Sequence, residues 1–152
     1  MKNHPTEITR RLEFDAGHRI PNHGGQCRHV HGHRYVLEVT LSGAVRHVPG
    51  AEDDGMVLDF GDIKTIANET VVQKWDHAFL VAREDRGLVE FLSSIPGHKT
   101  VILDDIPTVE NLAHQAFRLL APVFEDRFQG RLKLSRLRLY ETPNCWADVY
   151  AE

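Results

Sequence analysis

Cysteine is represented only by Cys27 and Cys145 in 152 residues, too few for a disulfide framework and the pattern expected of a reducing compartment. No apolar run approaches the roughly 18 residues that cross a bilayer. Met1 to Thr9 is polar where a secretory leader would place a charged start and a greasy segment. A cytoplasmic location without a membrane partner is the resulting expectation. Positive charge is also in short supply: 18 Lys and Arg stand against 22 Asp and Glu, for a net charge of -4, which leaves no footprint for nucleic acid. Internal repeats and low-complexity tracts are lacking. What remains is an ordinary soluble composition, 41% hydrophobic and 26% charged, long enough for a single domain over residues 1–152 with its own core. Its partner is expected to be a small molecule.

The apolar pattern predicts the order of elements. Ile8, Leu12, Phe14 and Ala16 alternate, apart from Arg10, as a strand with one buried face. Tyr35, Leu37, Val39 and Leu41 alternate with Val36, Glu38 and Thr40 in a second, longer strand, which begins with His31 and His33 on the Tyr35 side. Pro49, Gly50 and Asp53-Asp54-Gly55 mark a loop. Asp59 and Asp62 open a helix running to about Lys74, with Ile63, Ile66, Ala67 and Val71 as its buried stripe and Trp75 to Leu80 as its exit. Glu84 to Ser93 reads as a short helix and Thr100 to Leu103 as a compact strand. Thr108, after Pro107, caps a helix whose apolar positions run from Val109 through Leu112, Ala113, Ala116, Phe117 and Leu120 to Phe124, and which Gly130 ends. Leu132 to Tyr140 and Cys145 to Tyr150 are final strands about a Thr142-Pro143-Asn144 turn. Together these predict an α+β fold, an antiparallel sheet with two main helices packed on one face.

Chemistry is concentrated between His18 and His33, which holds five of the ten histidines and one of the two cysteines. His31 and His33 are i and i+2 on an extended chain, so their imidazoles leave one face about 7 Å apart, close enough to lean onto one metal ion. The loop with Pro21, Gly24 and Gly25 can fold back and bring His18 to the same point. Three neutral nitrogens without a fourth protein ligand is the pattern of a catalytic zinc site. His23 and His29 read as ordinary loop residues.

Cys27 has three readings, the plainest being a small buried residue. Beside a dication its thiol becomes a base or nucleophile; alternatively it is a fourth ligand that closes a structural site. Asp76-His77 is either a polar pair at a helix exit or a carboxylate that sets the tautomer of a proton donor. Glu141 is either an exposed strand end or a carboxylate that pairs with a guanidine-like ring edge, and Glu110 most simply serves its helix dipole.

Phe14-Asp15-Ala16-Gly17-His18-Arg19-Ile20-Pro21, Cys27-x3-His31-Gly32-His33, Leu58-Asp59-Phe60, Asp76-His77-x2-Leu80, Pro107-Thr108-x-Glu110-Asn111-Leu112-Ala113 and Tyr140-Glu141-Thr142 resemble the successive motifs of the 6-pyruvoyltetrahydropterin synthase family, over nearly the whole chain. In the pyruvoyl-forming animal enzymes of that family the cysteine usually stands farther ahead of the His-Gly-His. Three intervening residues resemble the bacterial 6-carboxy-5,6,7,8-tetrahydropterin synthases of queuosine biosynthesis. The resemblance implies a tunnelling fold, zinc on His18, His31 and His33, and conversion of 7,8-dihydroneopterin triphosphate to the 6-carboxy pterin with release of acetaldehyde and triphosphate. By motif position it implies that Cys27 is the proton-abstracting base, with His77 its relay partner and Asp76 orienting that ring. Glu141 would anchor the pterin edge and join the relay, and Thr108 and Glu110 would line the pocket. It further implies a homohexamer with sites between subunits. The segments Val45 to Gly55 and Val81 to Asp105 look longer than in compact members, and Ala51-Glu52-Asp53-Asp54 adds negative charge.

Three other readings compete: the 6-pyruvoyl-forming synthase, a non-catalytic zinc module closed by Cys27, and a zinc hydrolase that has no need of Cys27.

Overall fold

A computed structural model describes residues 4–152. Its frame is a β-hairpin of two long strands, β1 (Thr6–His18) and β2 (His31–Gly43), paired antiparallel in unbroken register from Thr6↔Gly43 to His18↔His31. Along β1 the even positions from Leu12 to His18 are buried, and along β2 Tyr35, Leu37, Val39 and Leu41 are fully buried. Residues directly opposite in an antiparallel pair share a face, so Phe14 meets Tyr35, Ala16 meets His33 and His18 meets His31 on the inner side of the sheet.

The helices cover that inner side. Helix α1 (Phe60–Ala67) starts at Asp59, whose side chain accepts a hydrogen bond from the Gly61 amide at 2.6 Å. It continues through a π-helical turn, Asn68–Val72, into the short α2 (Gln73–Trp75). The expected run to about Lys74 is therefore one helical segment, widened in the middle so that Val71, Val72 and Trp75 all turn inward. Strand β3 (Ala78–Ala82), helix α3 (Arg86–Ser93) and strand β4 (Thr100–Leu103) follow. Helix α4 (Val109–Phe128) is capped by the Thr108 side chain on the Asn111 amide and ends at Gln129, whose φ of 51° lies in the left-handed region. Strands β5 (Leu132–Thr142) and β6 (Cys145–Tyr150) complete a sheet of order β4-β3-β1-β2-β5-β6.

Two expectations are corrected. The sheet is mixed, not wholly antiparallel: β3 pairs with β1, and β4 with β3, in parallel. The segment read as a helix exit contains β3, a run of five residues of which four are buried, too short and too evenly apolar for either periodicity to announce a strand. The loop after β2 spends its extra acid on itself, since Asp53 pairs with Arg46 at 3.1 Å and Asp54 accepts from the Val48 amide.

Strand β5 is bulged. Its partner register on β2 steps from Thr40↔Arg136 to Leu41↔Leu134, which leaves Ser135 unpaired. The inward set changes from Leu132 and Leu134 to Leu137 and Leu139 across that step, and Glu141 follows the latter pair onto the inner face. Among the described residues no helix is long and apolar enough to cross a membrane.

Beneath the histidines the core is aromatic: Phe14 stacks on Tyr35 with ring centroids 5.3 Å apart and meets Trp75 edge-on at 6.1 Å. Phe14→Ala removes the ring on which both rest. It is expected to cost about 3–5 kcal/mol of stability in urea unfolding, with the slope of the transition unchanged.

Candidate active site

The β1–β2 register brings the three imidazoles together. Ring centroids lie 4.6 Å apart for His18 and His31, 5.0 Å for His18 and His33, and 4.9 Å for His31 and His33. One nitrogen from each falls within 4.8 Å of the others. His18 is fully buried at the end of β1, while His31 and His33 are partly covered.

Hydrogen bonding fixes which nitrogens carry protons. The Nδ1 of His18 lies 2.8 Å from the Pro107 carbonyl, and the Nδ1 of His31 lies 2.6 Å from the His29 carbonyl. A carbonyl only accepts, so both Nδ1 atoms donate and both Nε2 atoms of the neutral rings are left with lone pairs. Those two Nε2 atoms face each other at 3.0 Å. The His33 Nε2 is buried and has no hydrogen-bond partner among the described residues. The Glu141 carboxylate adds a further acceptor, 4.0 Å from His18 Nε2 and 3.8 Å from His33 Nε2. Acceptors converging on one point repel unless a cation lies between them, so the donor set fits a divalent metal held by three neutral imidazoles. Burial pushes the pKa of His18 down, against the opposing pull of the Pro107 hydrogen bond and the Glu141 charge, and burial likewise lowers His33. Both shifts keep the rings in the form that binds a metal.

Cys27 sits in a 3-10 turn, Gln26–Arg28, between His18 and His31, and it is a partly exposed free thiol. The Ile20 amide donates to the Cys27 carbonyl at 2.7 Å and closes the neck of this loop. Tyr35, which residue patterning placed only in the core, has a buried hydroxyl without a partner next to His18 and His33. Burial raises its pKa, and the charges of Glu141 and Cys27 add to the effect. Thr108 caps α4 one residue after the carbonyl that holds His18, whereas Glu110 is exposed in the first turn of α4.

Asp76 and His77 are not brought to this cluster. They form a second group with Asp15, a residue that spacing gave no reason to single out, on the other face of β1. Here both oxygens of Asp76 and one of Asp15 are engaged. Asp76 Oδ1 accepts the Asp15 amide at 2.9 Å, Asp76 Oδ2 lies 2.9 Å from His77 Nδ1, and Asp15 pairs with Arg34 at 2.9 Å. The Asp15 hydrogen bond holds the Asp76 carboxyl below its ordinary range, with help from His77. His77 takes a φ of 60°, which histidine tolerates better than most side chains, and its amide donates to the Asp15 carbonyl at 2.6 Å. Its side chain is 76% exposed.

A sheet with helices on its inner face and a three-histidine cluster at the loop end of its long hairpin define an α+β tunnelling-fold protein. The family described as 6-pyruvoyl tetrahydropterin synthase matches residues 7–152, and the chain belongs to that family. It is similar to the 6-carboxy-5,6,7,8-tetrahydropterin synthase of Rickettsia bellii, at 38% identity over 144 residues that cover 94% of this chain and 99% of that protein. The protein of the same name from Haemophilus influenzae is 31% identical over 144 residues, covering 93% and 96%. In fold, an uncharacterized protein from Wolinella succinogenes matches with a TM-score of 0.78 at 22% identity, covering 97% of this chain and 99% of that one.

The lowered histidine values make a prediction for the metal-free chain. Unfolded histidine takes up its proton near pH 6.5, whereas His18 and His33 in the folded chain do so only at lower pH. Between those values the unfolded state binds more protons, so stability falls as pH drops below 6.5 and is restored above it. Urea unfolding of chelator-treated protein across that range measures it. His33→Ala should flatten the slope and weaken divalent-metal binding.

Proposed function

We propose that this chain is a zinc-dependent 6-carboxy-5,6,7,8-tetrahydropterin synthase, a carbon-carbon lyase of queuosine (7-deazaguanine) biosynthesis acting on 7,8-dihydroneopterin triphosphate. The observation that carries the reading is the meeting of the His18 and His31 Nε2 atoms at 3.0 Å, beside an unpartnered His33 Nε2 and the Glu141 carboxylate. Zinc bound to these nitrogens supplies a positive charge that lowers the cost of charge developing on the oxygens of the substrate side chain. Cys27 takes a proton from the carbon beside them. His77, held in its tautomer by Asp76, returns one. Glu141 binds the amino-pyrimidine edge of the pterin, and Thr108 and Glu110 border the pocket from the start of α4. Two features favour the 6-carboxy product over the 6-pyruvoyl one: three residues between Cys27 and His31, and the name carried by the Rickettsia and Haemophilus relatives.

The placement of His77 supports a shared site. Within one chain the imidazole cluster and the Asp76-His77 pair lie on opposite faces of β1, so the relay partner of Cys27 comes from a second copy in a homo-oligomer, a hexamer in this reading.

Incubation of the zinc-loaded protein with 7,8-dihydroneopterin triphosphate is expected to give acetaldehyde and a 6-carboxy pterin by mass spectrometry. A 6-pyruvoyl pterin without acetaldehyde would move the assignment to the sister reaction. Cys27→Ala should keep its zinc and lose turnover; loss of zinc would make Cys27 a ligand instead. When inactive Cys27→Ala and His77→Ala chains are unfolded, mixed in equal amounts and refolded together, random pairing across shared sites restores about a quarter of wild-type activity. No recovery would mean that both groups serve one chain.

A further inference from the structure

The segment between β3 and β4 contains a buried carboxylate that the proposed chemistry does not use. Asp85 is 8% exposed and is held by Arg19, with Arg19 Nε at 2.6 Å from Oδ2 and Nη2 at 2.5 Å from Oδ1. Asp85 occupies the N-cap position of α3, where an aspartate normally turns back onto its own helix. Here the side chain makes no capping bond. Its backbone carbonyl accepts from the Val89 amide, while its carboxylate reaches 66 residues back along the chain. A local preference is set aside for a long-range contact, a conflict characteristic of functional positions.

The other end of that contact lies in the active-site loop. Arg19 follows His18 directly, and the next residue, Ile20, donates its amide to the Cys27 carbonyl. A bidentate guanidinium–carboxylate pair fixes both distance and plane. Asp85, Arg19, Ile20 and Cys27 thus form a short chain of contacts from the body of the protein to the Cys27 backbone. We propose that the Arg19–Asp85 pair is a latch that sets the position of Cys27 in the loop joining His18 to His31, with both members acting as positioning residues for the proton-abstracting thiol. The inference rests on the role given to Cys27 above.

The test uses the full-length zinc-loaded protein in a Cys145→Ser background, so that Cys27 is the only thiol. Asp85→Asn keeps the volume and removes the charge. The latch predicts unchanged zinc content, a kcat reduced by about tenfold or more with KM within about twofold, as expected when a catalytic group is misplaced. It also predicts a changed rate and pH profile of Cys27 alkylation by iodoacetamide. A lower Tm with kcat and alkylation unchanged would overturn it and leave the pair a purely structural tie. Should Asp85→Asn fail to fold, Arg19→Leu combined with Asp85→Leu removes both charges and leaves none buried alone; the same readouts decide in the same way. Absence of pterin turnover in the wild-type protein would defeat the proposed function, while the alkylation comparison would still decide the latch.

Discussion

The pairing of β1 with β2 is the constraint on which the molecule depends. It runs without a bulge from the far end of the hairpin to the His18↔His31 pair. Because side chains alternate with a period of two, a slip of one residue would carry the imidazoles to the solvent face and the outer residues Asp15 and Arg34 into the core. The apolar content of the inner face forbids such a slip, since Phe14, Tyr35, Leu37, Val39 and Leu41 are all buried there. The same residues that exclude water from the core thus set the angle at which three histidines meet. Packing and chemistry occupy one register.

The two groups of ligand-type side chains make an instructive contrast. At Asp15, Asp76 and His77 the carboxylates meet donors, from the Asp15 amide, His77 and Arg34. At His18, His31 and His33 lone pairs face lone pairs, with a carboxylate nearby. Proximity alone treats the clusters alike; the assignment of donors and acceptors separates them. One is a network that can hold a proton donor in place. The other presents a donor set that could hold a metal ion.

Much of this was legible in the sequence because it rested on short-range pattern. The alternation through Tyr35 and Leu41 placed His31 and His33 on an inward face, and Asp59 and Thr108 marked true helix starts. What escaped depends on contacts remote in the chain. The parallel pairing of β3 with β1 requires a crossover that no local spacing reveals. The face on which Asp76 and His77 emerge follows from a left-handed residue after α2. The use of the Pro107 carbonyl by His18 spans 89 residues, and the link between Arg19 and Asp85 spans 66. Glu141 was visible as a residue, but its inward direction was not, because it depends on the bulge at Ser135.

That bulge makes the site sensitive to counting. Leu134 and Leu137 both point inward although their numbers differ by three, an odd interval where a regular strand demands an even one. Glu141 therefore continues the parity that Leu137 and Leu139 take after the supernumerary residue in the middle of β5, and a second register step, against β6, falls between Tyr140 and Thr142. A protein of this design can exchange side chains along β5 at modest cost, yet the loss or gain of one codon between Leu134 and Glu141 would reverse which side of the sheet receives the carboxylate. Chain length over this stretch, more than the identity of any side chain in it, is the quantity that the site holds fixed.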